Sequence, residues 1–429
     1  MKSINLGLIG LGTIGTGVLK VLRENSALIE KRLGVSLVIK GIADLDIETD
    51  RGIAIDKSIL TTDAGKIIND DEINIVIELM GGYEPALSYI LQSISNKKHI
   101  VTANKALLAK HGPEVFEAVN KHQVNIGFEA SVGGGIPVIR SLTDNLAANK
   151  FESIYGIVNG TGNYILSKMT DEATNLQETL KEAQEKGYAE ADPSFDIEGM
   201  DSAHKIAILA SLAFGSHIPI ESVFTEGITH ISLEDINFAK EFGYRIKLLA
   251  IAKRSDDAID IRVHPTMMSQ DNPISNINGV LNAVKIKGNA VGETMLIGEG
   301  AGAFPTASAV LGDAMEIAGE IAYGRKSPLF KINSNSKLKP IDEIVSEYYL
   351  RFSVQDKPGI LSKLSGILGN HSISIASVIQ KGRNQSVSVP LVFMTHKARE
   401  RDVQKAVEEI NKLNVVTGKS ILIRVENES

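Results

Sequence analysis

Residues 4–22 read INLGLIGLGTIGTGVLKVL, and they decide the fold of the first part of the chain. An apolar run, residues 4–9, ends at the sequence G-L-G-T-I-G, residues 10–15, and a helical pattern follows at once. A strand, a G-x-G-x-x-G turn and a helix in this order are the context of a dinucleotide-binding fingerprint. The glycines allow a tight turn, a close approach of the backbone to a pyrophosphate, and packing of the helix on the strand. The N-terminus of the helix attracts the anion.

The fingerprint is the first unit of a repeated strand–helix pattern, which predicts a parallel sheet in an α/β domain. The second strand of the pattern ends at Asp44. An acid at this position accepts from the ribose hydroxyls and favours NAD. Lys40, Arg51 and Lys57 lie close in sequence and could instead meet the 2′-phosphate of NADP. The sequence therefore leaves the choice between NAD and NADP open.

A second informative stretch, residues 187–205, reads GYAEADPSFDIEGMDSAHK and carries five acids ahead of its one lysine. Pro193 and Gly199 break regular structure, so the acids before Gly199 are predicted to lie on a loop. Asp201 opens a helix with an apolar face, and Lys205 lies four residues later on the same side. A carboxylate beside an ammonium suits a small substrate with an amino group and a carbonyl that must gain a proton. The alternative is a solvated acidic loop with a surface ion pair.

Three further loops are candidates for the site. Asn104 and Lys105 begin a helix at the carboxyl end of a predicted strand, the edge where open α/β sheets bind ligands. Residues 129–137, EASVGGGIP, place three glycines before a helix-starting proline. The carbonyls of such a loop can turn inward on a hard cation, or the loop can serve as a crossover between domains. Residues 159–163, NGTGN, are predicted to form a turn-rich linker that borders the site.

The patterns divide the chain into three domains of an α/β fold. Residues 1–130 and 303–325 form a Rossmann-like dinucleotide-binding domain, and residues 131–302 form an α+β domain for substrate binding and dimerisation. Residues 326–346 are polar and are predicted to be a linker. Residues 347–429 show the order β-α-β-β-α-β, which predicts a C-terminal ferredoxin-like domain.

Composition limits the classes of function. The 429-residue chain carries a net charge of −7, which argues against nucleic acid as a partner. It contains no cysteine, so a disulfide framework, a zinc–thiolate site and a thiol nucleophile are excluded. No apolar run approaches the ~18 residues that a membrane span needs, so no membrane association is expected. The absence of cysteine fits a reducing compartment such as the cytoplasm.

Four segments together resemble the homoserine dehydrogenase family. The pattern A-x-x-x-G-Y-x-x-x-D-P-x-x-D-I-x-G-x-D-x-x-x-K is filled by residues 183–205, and T-A-N-K by residues 102–105. The loop at 129–137 is similar to the family's E-A-S-V-G-x-G-I-P segment. The turn D-x-P-G-I-L at 356–361 resembles that of an ACT domain, a module that often binds amino acids between paired copies. The resemblance covers nearly the whole chain.

The resemblance implies a monofunctional enzyme that reversibly reduces L-aspartate 4-semialdehyde to L-homoserine with NAD(P)H, in threonine, methionine and isoleucine biosynthesis. It implies Lys205 as the first catalytic candidate and Lys105 as the second. Glu190 and Asp201 would hold the substrate's ammonium, and Asp196 would be a further ligand or would orient the lysine. The implied cofactor-binding residues are Gly10, Leu11, Gly12, Thr13, Ile14, Gly15, Thr102, Lys105, Gly187 and Gly302. The implied ligands of a monovalent cation, Na⁺ or K⁺, are Glu129, Val132, Gly134 and Ile136, chiefly through backbone oxygens.

Two other functions stay open on the sequence: another Rossmann reductase of an amino-acid-derived carbonyl, and a non-catalytic regulator that senses nucleotides. The ACT-like tail either binds an amino-acid effector, with threonine as the family-based expectation, or only dimerises the chain. We expect a homodimer or a homotetramer. Because the linker separates two parts with their own apolar periodicity, a chain truncated near Lys339 is expected to fold and turn over while losing its response to the effector.

Overall fold

The computed structural model describes residues 3–255, 257–324, 336–381 and 388–427. These residues form two compact units. The first unit contains residues 3–158, 204–223 and 281–324, together with Ser336. The second contains residues 159–203 and 224–280, and the described residues from 337 to 427. The first part of the predicted linker, residues 326–335, lies outside the described residues, and the predicted domain boundaries stay a prediction.

The strands and helices are numbered in chain order. The strands are β1 Ser3–Ile9, β2 Ser36–Ala43, β3 Leu60–Thr61, β4 Ile75–Glu78, β5 His99–Thr102, β6 Ile126–Gly127, β7 Phe151–Ile157, β8 Phe224–Thr225, β9 Tyr244–Ser255, β10 Ala258–Ser269, β11 Leu281–Gly288, β12 Gly292–Glu299, β13 Lys337–Leu338, β14 Val345–Gln355, β15 Ile375–Gln380, β16 Ser388–Thr395, β17 Ala398–Arg399 and β18 Ile421–Glu426. The helices are α1 Thr13–Leu33, α2 Ala64–Ile68, α3 Ala86–Ser95, α4 Lys105–His122, α5 Val138–Arg140, α6 Gly160–Glu172, α7 Leu176–Glu185, α8 Ser194–Ile197, α9 Met200–Phe214, α10 Leu233–Glu241, α11 Ala303–Tyr323, α12 Ile360–Asn370 and α13 Glu400–Asn411.

The first unit is built on a parallel sheet with the strand order β3-β2-β1-β4-β5-β6. This is the strand order of a Rossmann fold, in which the chain reverses its direction of travel beside β1. Apolar residues of β1, α1 and α11, among them Leu8, Val18 and Val310, share one buried core. Ligands of such sheets bind at the carboxyl ends of the strands next to the reversal, so the loops after β1, β4 and β5 are the expected cofactor edge.

Three longer strands, β7, β11 and β12, also belong to the first unit. Strand β11 pairs antiparallel with β12 on one side and with β7 on the other. Helix α11 then returns to the parallel sheet, where Gly17 of α1 approaches the backbone of Ala303 so closely that a Cβ on Gly17 would lie 2.6 Å from the Ala303 carbonyl oxygen. The sequence placed residues 303–325 in the dinucleotide-binding domain, and this boundary stays a prediction.

The second unit contains the C-terminal domain. Its strands lie in the order β18-β14-β16-β15, all antiparallel, with α12 and α13 between them in sequence. Tyr348, Leu364, Phe393 and Val403 belong to the core between these helices and the sheet. This is the ferredoxin-like order expected of β-α-β-β-α-β, so the predicted fold class of the tail is confirmed.

The C-terminal sheet does not end at β18. Strand β10 pairs in parallel with β18 through Thr266 with Arg424, Met267 with Val425 and Met268 with Glu426, and β9 follows antiparallel to β10. The tail therefore shares a continuous sheet with strands from residues 244–269.

A largely buried ionic network also joins the tail to Glu226 and Asp235. Arg424 is 1 % exposed, and its guanidinium donates to Glu400 at 2.5 and 2.9 Å and to Glu226 at 2.8 Å. Burial opposes the charge of Arg424, but Glu400 and Glu226 outweigh it and raise the pKa of the guanidinium. Arg351 likewise binds Asp235 of α10 at 2.6 and 2.9 Å. A charge buried in this way is tolerated only with its partners in place.

These contacts revise the expectation that a chain truncated near Lys339 folds unaided. Such a truncation would remove β18 from the edge of β10 and would leave Glu226 and Asp235 without their arginines.

No helix of the described residues is long and apolar enough to cross a membrane.

We expect Arg424→Met to lower the free energy of unfolding by about 3–5 kcal/mol, because it leaves the buried Glu400 without its cation and also removes the partner of Glu226. Arg401→Met is the matched control, since Arg401 is half-exposed and forms a 3.7 Å pair with the neighbouring Asp402. An exposed pair contributes about 1 kcal/mol or less. Urea unfolding of both variants checks the prediction, and equal midpoints for the two would contradict it.

Candidate active site

The glycine turn after β1 has the geometry of a dinucleotide site. Gly10 has a φ of +101°, and a Cβ there would lie 2.8 Å from the carbonyl group of Leu79, so only glycine fits. A Cβ on Gly15 would lie 2.2 Å from the Gly10 carbonyl oxygen, which brings α1 against the turn. No other described residue has an atom within 4 Å of a Cβ built on Gly12, the residue before α1. The turn is therefore closely packed at Gly10 and Gly15 and open at Gly12, where a phosphate would approach.

Asp44 is tied to this turn. One of its carboxylate oxygens accepts from the Leu11 backbone amide, and the other accepts from the Asp46 amide at 2.8 Å. Arg51 lies beside it: its guanidinium is 4.0 Å from Asp44 and donates to Asp46 at 3.0 and 3.1 Å. Lys40 points elsewhere and pairs with Asp70 and Glu72. Of the three basic residues that the sequence offered for a 2′-phosphate, Arg51 is the one placed beside Asp44.

Polar residues meet at the carboxyl ends of β4 and β5. Thr102 donates to the fully buried carboxylate of Glu78 at 2.6 Å, and it accepts from the Asn104 amide at 3.0 Å. The Asn104 side chain caps α4 by accepting from Leu107 at 3.1 Å and donates to the Gly82 carbonyl at 2.7 Å. These bonds fix the first turn of α4, which begins at the half-buried Lys105. The sequence predicted Thr102 and Lys105 at this edge but did not predict Glu78.

Glu129, at the start of the glycine loop after β6, is hydrogen-bonded to residues of α5 and α11. The buried carboxylate of Glu129 accepts from the backbone amides of Ile139 at 2.6 Å and Arg140 at 2.9 Å. The Glu129 backbone amide donates to the carboxylate of Asp313 in α11 at 2.8 Å. The Arg140 guanidinium donates to the Asp313 carboxylate as well, at 2.9 Å. Burial raises the pKa of Glu129, although these amides and Arg140 act against the rise. Burial likewise raises the pKa of Asp313 to about 7, against the effect of Arg140.

The loop itself makes a close backbone contact. Gly134 has a φ of +55°, and a Cβ there would lie 2.6 Å from the carbonyl carbon of Gly300. The carbonyl oxygens of Glu129 and Ile136 accept from Val132 at 3.4 Å and from Val138 at 2.8 Å. Within the described residues, no group of three or more histidine, cysteine or acidic side chains could hold a metal. A cation here would therefore depend on backbone oxygens.

The acidic segment lies in the second unit, where two carboxylates converge on one side chain. The Asn159 amide nitrogen donates to Asp196 at 2.7 Å and to Asp201 at 2.8 Å. The Thr161 hydroxyl lies 3.1 Å from the second oxygen of Asp196 and 2.7 Å from the Tyr188 carbonyl oxygen. Asp201 is 2 % exposed, which excludes the solvated acidic loop for this residue.

The other predicted residues of the segment are placed differently. Gly187 lies at a turn after α7 with a φ of +72°, and Glu190 is exposed, with its carbonyl oxygen accepting from Gln184 at 3.1 Å. Asp196 lies on the short helix α8, which replaces part of the predicted loop.

Lys205 of α9 lies in the first unit and is buried, with 7 % of its surface exposed. Its amine donates to the backbone carbonyl of Val158 at 2.5 Å. A carbonyl acceptor orients the amine and leaves its charge in place. The surface ion-pair interpretation of this lysine is therefore wrong, because a surface pair does not bury its cation.

Sequence reasoning missed the roles of Asn159 and Thr161. Residues 159–163 were predicted to be a linker, but Asn159 caps α6, which runs over Gly160–Glu172. The two glycines suggested a turn. The signal that identifies the helix is the asparagine before Gly160, since asparagine is among the strongest N-cap residues.

Three family models match the chain: the NAD-binding domain of homoserine dehydrogenase at residues 10–129, homoserine dehydrogenase at 137–315 and the ACT domain at 348–415. The homoserine dehydrogenase of Synechocystis is 43 % identical over 99 % of both chains. A homoserine dehydrogenase structure from Thiobacillus denitrificans has a TM-score of 0.94 at 43 % identity, with 100 % of this chain and 99 % of that chain covered.

A hyperthermophilic archaeal homoserine dehydrogenase mutant in complex with NADPH is 27 % identical, with a TM-score of 0.62 over 74 % of this chain and 98 % of that one. The whole-chain matches exclude the two other functions that the sequence left open. With the Rossmann turn, the acidic segment and the ferredoxin-like tail all in place, the chain belongs to the homoserine dehydrogenase family, the NAD(P)-dependent oxidoreductases that interconvert L-aspartate 4-semialdehyde and L-homoserine.

Proposed function

We propose that Lys205 is the general acid in the reduction of the aldehyde and the general base in the reverse reaction. Hydride transfer from the nicotinamide to the aldehyde carbon places a negative charge on the oxygen, which must gain a proton. A group held at hydrogen-bond distance can supply it for about 10²–10⁴-fold in rate. The support for Lys205 is its burial and its fixed amine, which the Val158 carbonyl orients from 2.5 Å.

Lys105 is proposed as the second catalytic lysine. It begins α4 at the carboxyl end of β5, the edge at which Rossmann sheets bind the nicotinamide. The capping bonds of Asn104 fix the first turn of this helix and therefore the position of Lys105. A fixed ammonium there would stabilise the negative charge that develops on the substrate oxygen.

Asp196 and Asp201 are proposed to bind the substrate's ammonium. Both carboxylates point at the same amide of Asn159, and two carboxylates brought together favour a cation between them. Glu190 is proposed as a third ligand on the basis of the family pattern; because it is exposed, it would have to close on the substrate. Glu190→Gln should therefore raise the KM for homoserine. An unchanged KM would show that Glu190 does not bind the substrate.

The cofactor is proposed to lie along Gly10, Leu11, Gly12, Thr13, Ile14 and Gly15, with its pyrophosphate at the N-terminus of α1. Thr102, Gly187 and Gly302 are proposed to border it. For its adenosine end we propose that the Arg51 guanidinium donates to the oxygens of a 2′-phosphate, so that NADPH is used at least as well as NADH. The support is the position of Arg51 beside Asp44, whose carboxylate is already occupied by two backbone amides.

The loop of Glu129, Val132, Gly134 and Ile136 is proposed to bind Na⁺ or K⁺. The backbone oxygens present suit a hard monovalent cation, and a carbonyl that already accepts one hydrogen bond keeps a second lone pair. The bound charge would hold the loop in one conformation. Turnover in a buffer whose cation is tetramethylammonium should rise on addition of NaCl or KCl, and an unchanged rate would contradict this proposal.

The tail is proposed to bind threonine between paired copies of the ACT domain, in a homodimer or homotetramer working in the cytoplasm. The support is the ACT match and the substrate, a metabolite of amino-acid biosynthesis. Threonine should inhibit turnover, and light scattering should report two or four chains. A threonine titration without effect would leave the domain as a dimerisation module, and a monomer would contradict both roles.

We expect Lys205→Met to lower kcat by about 10²-fold or more, because the alkoxide then lacks its proton donor. The KM for the nucleotide should change little. Lys181→Met is the matched control, since Lys181 lies on the exposed face of α7 with 78 % of its side chain exposed. Steady-state rates in both directions check this prediction, and a near-normal kcat for Lys205→Met would refute the role of this lysine.

We expect Arg51→Gln to raise the KM for NADPH by about 10-fold and to leave the KM for NADH nearly unchanged, since a lost charge-assisted pair is worth about 1.5–3 kcal/mol. Lys57→Gln removes a neighbouring exposed cation and should have a smaller effect. If Lys57→Gln proved the more damaging change, the 2′-phosphate would lie at Lys57 and the proposal for Arg51 would be wrong.

A further inference from the structure

One side chain organises the acidic segment of the second unit. Asn159 is buried, with 5 % of its surface exposed, and its side chain makes three described hydrogen bonds. Its Oδ1 accepts from the Gly162 amide at 2.7 Å and caps α6. Its Nδ2 donates to Oδ1 of Asp196 at 2.7 Å and to Oδ2 of Asp201 at 2.8 Å. Both protons of the amide nitrogen are therefore used on carboxylates.

The choice of an amide has an electrostatic consequence. Two carboxylates held close together repel each other, and burial strengthens the repulsion. A lysine or arginine between them would relieve it by neutralising their charge. Asn159 holds both oxygens with neutral donors, so its bonds fix the positions of the carboxylates and add no positive charge.

The helix makes the position of the amide rigid. Because Oδ1 is bound to the first turn of α6, rotation of the side chain would break the cap and both carboxylate bonds together. Thr161, two residues later, adds a hydroxyl at 3.1 Å from Asp196 Oδ2. The start of α6 thus carries fixed hydrogen-bond donors for two carboxylates that lie some forty residues further along the chain.

We propose that Asn159 is a positioning residue for substrate binding. It sets the separation and direction of Asp196 and Asp201, so that both face one ammonium group, and acts on the reaction only through them. The inference rests on the proposed role of these two aspartates in holding the substrate's ammonium. It predicts a defect confined to the amino-acid substrate, with the cofactor unaffected.

The test is Asn159→Asp. Aspartate caps a helix as well as asparagine does, so α6 keeps its N-cap while the amide donor is replaced by a third carboxylate. At neutral and alkaline pH we expect the KM for homoserine to rise at least about tenfold, while the KM for NADP⁺ stays at the wild-type value. Asn175→Asp is the matched control, because Asn175 caps α7 by accepting from Glu178 at 2.9 Å and is exposed. It should behave as wild type.

The pH profile separates positioning from a structural role. Crowding of three carboxylates raises the pKa of one of them, and its proton can replace the lost amide donor. The ratio of wild-type to Asn159→Asp kcat/KM should therefore shrink as the pH is lowered from about 9 to about 6. A ratio that does not change with pH, accompanied by a lower melting temperature and an unchanged KM, would assign Asn159 to the helix alone and overturn the inference.

Asp201→Asn, measured in parallel, separates the positioning role of Asn159 from the substrate-binding role of the aspartates. If it raises the KM for homoserine and Asn159→Asp does not, the aspartates bind substrate without help from Asn159, and the positioning role is wrong. If Asp201→Asn leaves that KM at the wild-type value, the aspartate does not hold the ammonium, and the inference falls with the binding role that it requires.

Discussion

A charged side chain taken out of water needs a partner that compensates its lost hydration, and both units of this protein are arranged around that constraint. The partners differ in kind. In the C-terminal sheet, Arg424 lies between two glutamates, so opposite charges cancel and the result is structural. At the acidic segment, the neutral amide of Asn159 donates to Asp196 and Asp201, and the Thr161 hydroxyl donates to Asp196. These neutral donors fix the carboxylates without adding a positive charge of their own.

The same distinction applies in the first unit. The amine of Lys205 is oriented by a backbone carbonyl, and the carboxylate of Asp44 is held by backbone amides. Glu129 and Asp313 show the cost of burial, since it raises the pKa of both carboxyls although Arg140 lies close by. In the first unit, backbone atoms thus supply described hydrogen bonds to Lys205, Asp44 and Glu129, and the fold sets the geometry of these bonds.

Local patterns in the sequence were sufficient for much of this fold. The Rossmann turn, the helix beginning at Lys105 and the ferredoxin-like tail follow from glycine spacing, apolar periodicity and element order, all of which act over a few residues. Lys205 and Asp201 could be singled out because they lie four residues apart on one helix. The glycines of residues 159–163 were misleading, since the capping asparagine before them starts a helix.

What the sequence could not supply depends on contacts between distant residues. The parallel pairing of β10 with β18 joins residues more than 150 positions apart, and no local signal marks it. The convergence of Asp196 and Asp201 on Asn159 also joins residues distant in sequence, because tertiary packing decides how these segments meet.

The most direct test of the proposed substrate site is a crystal structure with NADP⁺ and L-homoserine bound. We predict the substrate's ammonium nitrogen about 3 Å from a carboxylate oxygen of Asp196 or Asp201. An ammonium held by other groups, with both aspartates turned away from the substrate, would contradict this prediction.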